Sequence, residues 1–279
     1  MFNRGDGGRR GGCGPRLLIA LLLAGFALFR YFGSSQTNPV TGEKQRVALD
    51  PRQEIALGLQ SAPQLAQQHG GLSQNAARQR LVNQVGQQLV QNSEAGRGPY
   101  QFEFHLLADR NTVNAFALPG GQVFITEALA GRLDTEAELA GVLGHEIGHV
   151  VGRHGAEHLA KQALTQGLTG AASVAVIDPN DPRTYRNAAV VAAIGSLVNM
   201  KFGRDDELES DRLGVKYMAQ AGYDPRAMLR VMQVLKAAGG GGRQPEFFST
   251  HPNPENRLQR IEQAIRELFP NGIPQGLER

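Results

Sequence analysis

His145, Glu146 and His149 are the residues of this chain whose types and spacing promise chemistry, because they spell H-E-x-x-H. Residues four apart share one face of an α-helix, so both imidazoles can point at one metal ion. Two neutral imidazoles and a carboxylate third ligand make an open tetrahedral zinc site. The fourth position then takes a water that the metal acidifies. Glu146 sits one step around the helix, within reach of that water. The surrounding residues predict the helix itself. Thr135 to Glu138 reads as a capping box with Asp134 before it. Leu139, Val142, Leu143, Ile147 and Val150 follow at helical spacing, so an amphipathic helix over about residues 135–152 carries the motif.

The third ligand has to come from elsewhere. A metzincin pattern would place a histidine at position 155, which is Gly155; His154 is one residue out of register. His154 and His158 read as a polar pair on a following helix. Downstream, Arg204 to Gly214 is rich in acids. Glu207 and Asp211 are four apart, which predicts two carboxylates on one face of a second helix. One can bind the metal while the other accepts the second N–H of a ligating histidine and fixes its tautomer. A solvated acidic helix start is the plainer reading of the same residues.

Four segments together resemble the gluzincin metallopeptidases of family forty-eight, the group of the HtpX, CAAX prenyl endopeptidase, Oma-type and BepA-type proteases. They are Asn114 to Gly121, His145 to His149, Arg204 to Asp211, and Ser249 to Pro252 followed by Arg257. Their order and spacing cover roughly residues 50–270. The resemblance implies an α+β fold, mainly α-helical, with a small β-sheet next to the H-E-x-x-H helix. It implies one Zn²⁺ per chain, selects Glu207 as third ligand over its neighbour Glu209, and makes Asp211 the residue behind it. It sets His251 over the metal, with Arg204 or Arg257 in support. It also implies that an extended peptide adds as a strand to the outer edge of the sheet. Asn114, Pro119, Gly120, Gly121, Gln122, Val123 and Phe124 are the substrate-binding candidates. Ser210 stands where the family often has alanine, and both are small.

Composition bounds the rest. The 279 residues are 41% hydrophobic and 20% charged, which is a globular balance. The net charge is +3, part of it in Arg4, Arg9, Arg10 and Arg16. No basic stripe with interleaved aromatics occurs, which argues against a nucleic-acid partner. Leu17 to Phe29 is an apolar run behind that arginine-rich tail, interrupted by Arg30 and extended by Tyr31 and Phe32. It reads as an uncleaved signal anchor over 17–33, or as a signal peptide cleaved after Ser35. Either way the arginines stay inside, and the catalytic domain lies on the periplasmic, extracytoplasmic side of the cell membrane. Cys13 is the sole cysteine and precedes the apolar run, so neither a disulfide nor a lipoprotein cysteine is available within the chain.

The predicted order is a basic tail (1–16), the anchor or signal (17–33), a linker (34–51), one metalloprotease domain (52–270) and a short tail (271–279). Within the domain, 52–98 is a helical part and 99–270 the catalytic core. Arg52 to Gln68 and Ser73 to Gln91 read as helices. Gln101 to Leu107 reads as a strand. Thr112 to Leu118 and Gln122 to Thr126 read as two strands about a Pro-Gly-Gly turn. Residues 156–200 predict a helical hairpin with its turn at 178–182 and an apolar stretch at 188–195. Asp224 to Ala238 and Pro254 to Leu268 read as helices, separated by four consecutive glycines at 239–242.

The expected function is a membrane-anchored zinc endopeptidase acting on protein or peptide substrates, with Glu146 as general base. His251 would serve either as oxyanion donor or as a fourth zinc ligand at rest. Two other classes stand beside it. One is a non-catalytic assembly factor, whose mark would be loss of Glu146, which this chain keeps. The other is a zinc amidohydrolase of cell-wall peptides, against which the strand-like edge at Gln122 to Thr126 argues.

Overall fold

The computed structural model describes residues 14–176, 200–239, 245–253 and 256–277. Helix α1 (Gly14–Gly33) leads into a small antiparallel hairpin, β1 (Ser35–Thr37) and β2 (Lys44–Arg46), and then into α2 (Pro51–Gln68) and α3 (Ala76–Gln91). Strands β3 (Glu103–Leu107), β4 (Ala115–Ala117) and β5 (Gln122–Thr126) precede one turn of helix, α4 (Glu127–Ala130). Helices α5 (Glu136–Val151), α6 (His154–Val176), α7 (Arg204–Gln220), α8 (Ala227–Ala238), the one-turn α9 (Phe247–Thr250) and α10 (Arg257–Leu268) follow among the described residues. The mainly helical α+β reading holds. Cys13, the 178–182 turn, the 188–195 stretch, Gly240 to Gly242 and the start of the last helix at Pro254 lie outside the described residues.

Local sequence sets the helix starts. Asp50 and Gln53 cap each other's backbone N–H groups at the head of α2, with Pro51 in the first position. Thr135 accepts from the Glu138 N–H at 3.2 Å, a cap typically worth about 1 kcal/mol. The Glu138 carboxylate, however, accepts from Asp134 N at 2.7 Å rather than from the cap residue. The predicted box is therefore shifted by one residue on its return side.

The three-stranded sheet runs β3-β5-β4. β5 pairs parallel with β3 (Glu103 opposite Gln122) and antiparallel with β4 (Ala117 opposite Val123). This corrects one expectation. Gln122 to Thr126 is the central strand, paired on both sides and buried throughout, so it offers no free edge. β3 and β4 are the edge strands; the Gln79 side chain bonds Phe104 O and Leu106 N along β3, and β4 packs towards α5.

The segment expected as a linker is built into the domain. Asn38 and Gln45 are buried, and their amides donate to Val151 O (2.7 Å) and Gly152 O. They satisfy carbonyls that the end of α5 leaves without helical partners. The core lies between α3, the sheet, α5, α7 and α8, with Leu89, Leu106, Ile125, Leu143, Ile147 and Leu235 fully buried.

Small residues let the two motif helices touch. A Cβ on Gly148 of α5 would lie 2.9 Å from Ser210 O of α7, and one on Gly144 would lie 3.4 Å from Gly214 Cα. The i, i+4 rows Gly144/Gly148 and Ser210/Gly214 thus bring the backbones into near contact, and with them the side chains that flank these rows. Ser210 is fully buried at this contact.

Candidate metal centre

α5 presents His145, Glu146 and His149, and α7 presents Glu207 and Asp211. The one-turn α9 ends in His251, whose N–H donates to Phe247 O at 2.8 Å. All six are buried, each at most 3% exposed. His145 Nε2 and His149 Nε2 face each other at 3.0 Å. Glu207 Oε2 is 3.5 Å from the first, and its Oε1 is 3.4 Å from the second. His251 Nδ1 completes the group, 3.0 Å from Glu207 Oε1 and 3.4 Å from His145 Nε2. One donor atom from each of these four residues lies within 4.8 Å of the others.

The chemistry of this set fits zinc. Two imidazole nitrogens and a carboxylate are the borderline and hard donors that the ion takes at catalytic sites. Both Nδ1 atoms are engaged at the back, His145 with Asp211 Oδ1 (2.9 Å) and His149 with His154 Nδ1 (2.9 Å). With the protons on both Nδ1 atoms, the two Nε2 lone pairs face one point 3.0 Å apart, an arrangement that a cation between them would satisfy. The local field separates the two histidines. Burial works against a charged His145, but hydrogen bonds and charge from Asp211 and Glu207 outweigh it and lift its pKa to about 9, so a metal must displace a proton there. Burial would raise Glu207, yet the charge of His251 and hydrogen bonds from the histidines hold it well below the usual carboxylate range. Burial pushes Glu146 up and His149 well down, which keeps His149 in the neutral form that a ligand needs.

Arg257 ties the carboxylates together. Its Nε and Nη2 donate to Asp211 at 2.7 and 2.9 Å, and its Nη1 lies 2.9 Å from Glu207 Oε2. This fork fixes both acids behind the histidines, and it stands on α10, more than a hundred residues along the chain from His145. Arg204, by contrast, is exposed at the first residue of α7, outside the buried cluster.

Of the strand and turn candidates, Asn114 is buried just ahead of β4, its backbone N–H held by Thr126 Oγ1 at 3.2 Å. Pro119 and Gly120 form a turn pressed against α2. Gly120 has φ +89°, and a Cβ on it would fall 2.4 Å from Ile55 Cα. Gly121 likewise has positive φ, while Gln122, Val123 and Phe124 are interior to the sheet.

Several residues around the centre carry no sequence signal. Phe202 stacks on His149 with centroids 3.9 Å apart, and Phe247 stacks on His251 at 4.4 Å. Arg153, in the left-handed region at φ 58°, donates through Nε to Glu54 Oε1 at 2.9 Å, and Tyr100 Oη donates to Glu54 Oε2 at 2.9 Å. This buried trio locks α2 to the turn after α5. The helical positions of His145, Glu146 and His149 were open to pattern reading; these partners were not.

The profile of peptidase family M48 matches residues 76–265. The chain belongs to that family, one of zinc-dependent metalloendopeptidases. It is 30% identical over 257 residues to the beta-barrel assembly-enhancing protease of Escherichia coli K12, covering 91% of this chain and 52% of the relative. It is 30% identical over 182 residues to the mitochondrial metalloendopeptidase OMA1 of Schizosaccharomyces pombe, covering 62% and 49%. The bovine OMA1 metalloendopeptidase matches at 28% over 253 residues, covering 88% and 48%. The chain thus spans about half the length of the curated relatives it matches.

Metal content tests the ligand set. Glu207→Ala should lose the single zinc, because the histidines without their carboxylate partner compete poorly for it. Glu209→Ala should still take up one zinc when metal is in excess. Full zinc in the first variant and none in the second would move the third ligand to Glu209.

Proposed function

We propose that this chain is a zinc endopeptidase of the cell envelope, anchored by residues 17–33 with its catalytic domain on the extracytoplasmic side, that cleaves extended or misfolded envelope proteins. The observation that carries the catalytic reading is Glu146. Its carboxylate is fully buried beside the donor cluster, and neither oxygen has a hydrogen-bond partner among the described residues. A buried carboxylate without partners is costly unless it has work to do.

Zinc bound by His145, His149 and Glu207 supplies Lewis acidity, which acidifies water and polarises a carbonyl. The rest belongs to the chain. Glu146 accepts the proton of the attacking water on a carboxylate oxygen and returns it to the leaving amine. Asp211 holds the His145 ring through Nδ1, and Arg257 holds Asp211 and Glu207. The free edge of β4 gives an extended substrate unpaired backbone groups to bond. The similarity to a beta-barrel assembly-enhancing protease of Escherichia coli supports placing the substrates among proteins of the envelope. The proteolytic reading predicts that the purified chain cleaves a reduced, unfolded protein, that a chelator stops it and that zinc restores it. Zinc-loaded protein that leaves such a substrate intact would favour the assembly-factor reading.

Anchoring rests on the surface of α1. Among the described residues no helix is long and apolar enough to cross a membrane. Yet Leu18, Leu21, Leu22, Phe26 and Phe29 are each at least 60% exposed, an apolar face that water does not favour. α1 packs on α6 along its other face, where a Cβ on Gly167 would come within 2.8 Å of Ala27 Cβ. The arginines upstream supply the charge expected on the inner side. The protein should therefore stay with membranes through a carbonate wash. A mature N-terminus near Gln36 would replace the anchor by a cleaved signal and a protein released to the periplasm.

A further inference from the structure

His154 was expected on a polar helix face, but it is 1% exposed and lies behind the metal centre. Its Nδ1 is 2.9 Å from His149 Nδ1, and its Nε2 is 3.1 Å from Glu209 Oε2. Ser210 Oγ stands 3.3 Å from the same Nδ1. With His149 Nε2 left free for a metal, one proton arrangement keeps both rings neutral and uses the contacts to His149 and Glu209. His149 must free Nε2 for the metal, so its proton sits on Nδ1 and is donated to His154 Nδ1. His154 then carries its own proton on Nε2 and donates it to the Glu209 carboxylate.

We propose that His154 is a positioning residue for His149, and that Glu209 acts on the metal through it. Each zinc-directed histidine then has a carboxylate at its back: Asp211 bonds His145 directly, and Glu209 reaches His149 through one intervening imidazole. This gives Glu209 a role although Glu207 is the ligand. It also explains why two acids two residues apart on α7 both face the α5 to α6 corner. The geometry leaves little play. The His149 and His154 rings meet edge to face at 5.0 Å, and a Cβ on Gly152 would strike His154 Nε2 at 2.5 Å. The proposal rests on the zinc-site reading, and its test separates the two.

The readout is zinc affinity, measured by competition with a chromophoric chelator, alongside thermal unfolding of the metal-free protein. His154→Leu removes the acceptor and should weaken zinc binding about 10–100-fold, the usual loss when such a partner of a ligand is removed. His154→Asn, whose Oδ1 falls near the place of Nδ1, should recover most of that loss. Glu209→Gln should weaken binding less than His154→Leu, and should add nothing in the His154→Leu background. The cobalt-substituted absorption spectrum should shift in His154→Leu and return towards wild type in His154→Asn. Wild-type protein that binds no zinc would overturn the zinc-site reading itself. Tight wild-type binding with unchanged affinity in His154→Leu would overturn the positioning role alone. So would losses that add between His154 and Glu209, or a fall in metal-free stability that accounts for the affinity change in both His154 variants. If His154→Leu does not fold, the His154→Asn and Glu209→Gln comparison decides: an affinity unchanged in Glu209→Gln overturns the relay.

Discussion

Glu146→Gln should keep its zinc and lose proteolysis by about two to four powers of ten, the range set by removing a general base. The amide has nearly the volume of the carboxylate. It replaces a group that is fully buried and makes no hydrogen bond among the described residues, so packing gives no reason for the site to collapse. The histidines are held from behind by Asp211 and His154 rather than by Glu146, so the donor cluster does not depend on this side chain. What disappears is the ability to accept a proton. The nearest alternative base in the cluster is His251, whose Nε2 lies 3.6 Å from Glu146 Oε1. If that imidazole could substitute, the loss would be small. Metal analysis and the rate of cleavage of an unfolded protein, measured together, give the answer. A near-wild-type rate in a fully loaded variant would remove Glu146 from the mechanism. The same variant, unable to turn over, is the natural trap for identifying bound substrates.

How far the sequence discloses this site depends on how local the signal is. His145, Glu146 and His149 lie within five residues, and the helix that aligns them announces itself through Thr135 and the apolar spacing that follows. Glu207 and Asp211 declare a shared face by the same rule. Choosing Glu207 over Glu209 needed the family resemblance, since both acids lie near the centre and differ in which histidine they meet. The parallel pairing of β3 with β5 left no trace in the alternation of either strand, and it moved the free edge from Gln122–Thr126 to Ala115–Ala117. The hairpin in the supposed linker was hidden because its polar residues serve tertiary partners: Asn38 bonds a carbonyl 113 positions away. Glu54 and Arg153 are 99 residues apart, and neither has a periodic neighbour that betrays the pair. His154 read only as one of a polar pair on the following helix. Buried polar groups satisfied by one another are invisible to a reading of hydrophobic pattern.

His251→Ala is the variant whose sign is informative. As an oxyanion donor, His251 would be missed at the transition state, and the rate would fall by about two to three powers of ten with zinc affinity little changed. As a cap on the resting centre, it would block the position that water and substrate need, and its removal would raise the basal rate. The arrangement favours the cap. Nδ1 points into the donor set, 3.0 Å from Glu207 Oε1 and 3.4 Å from His145 Nε2, and the ring is wholly buried. Phe247 stacks on it at 4.4 Å, and Phe202 lies over it at 5.2 Å, closing the centre from solvent. As a cap, His251 would have to move aside before substrate could reach the metal. The expected result is a faster basal cleavage with weaker zinc binding, because one of four donors is lost. A rise of about tenfold would correspond to a resting state closed by roughly ten to one. A fall by two powers of ten with unchanged metal affinity would instead assign the oxyanion role. No change in either quantity would leave His251 only its packing between Phe247 and Phe202. The rate and the zinc affinity must be measured on the same preparation, since a variant that has merely lost its metal would also be slow.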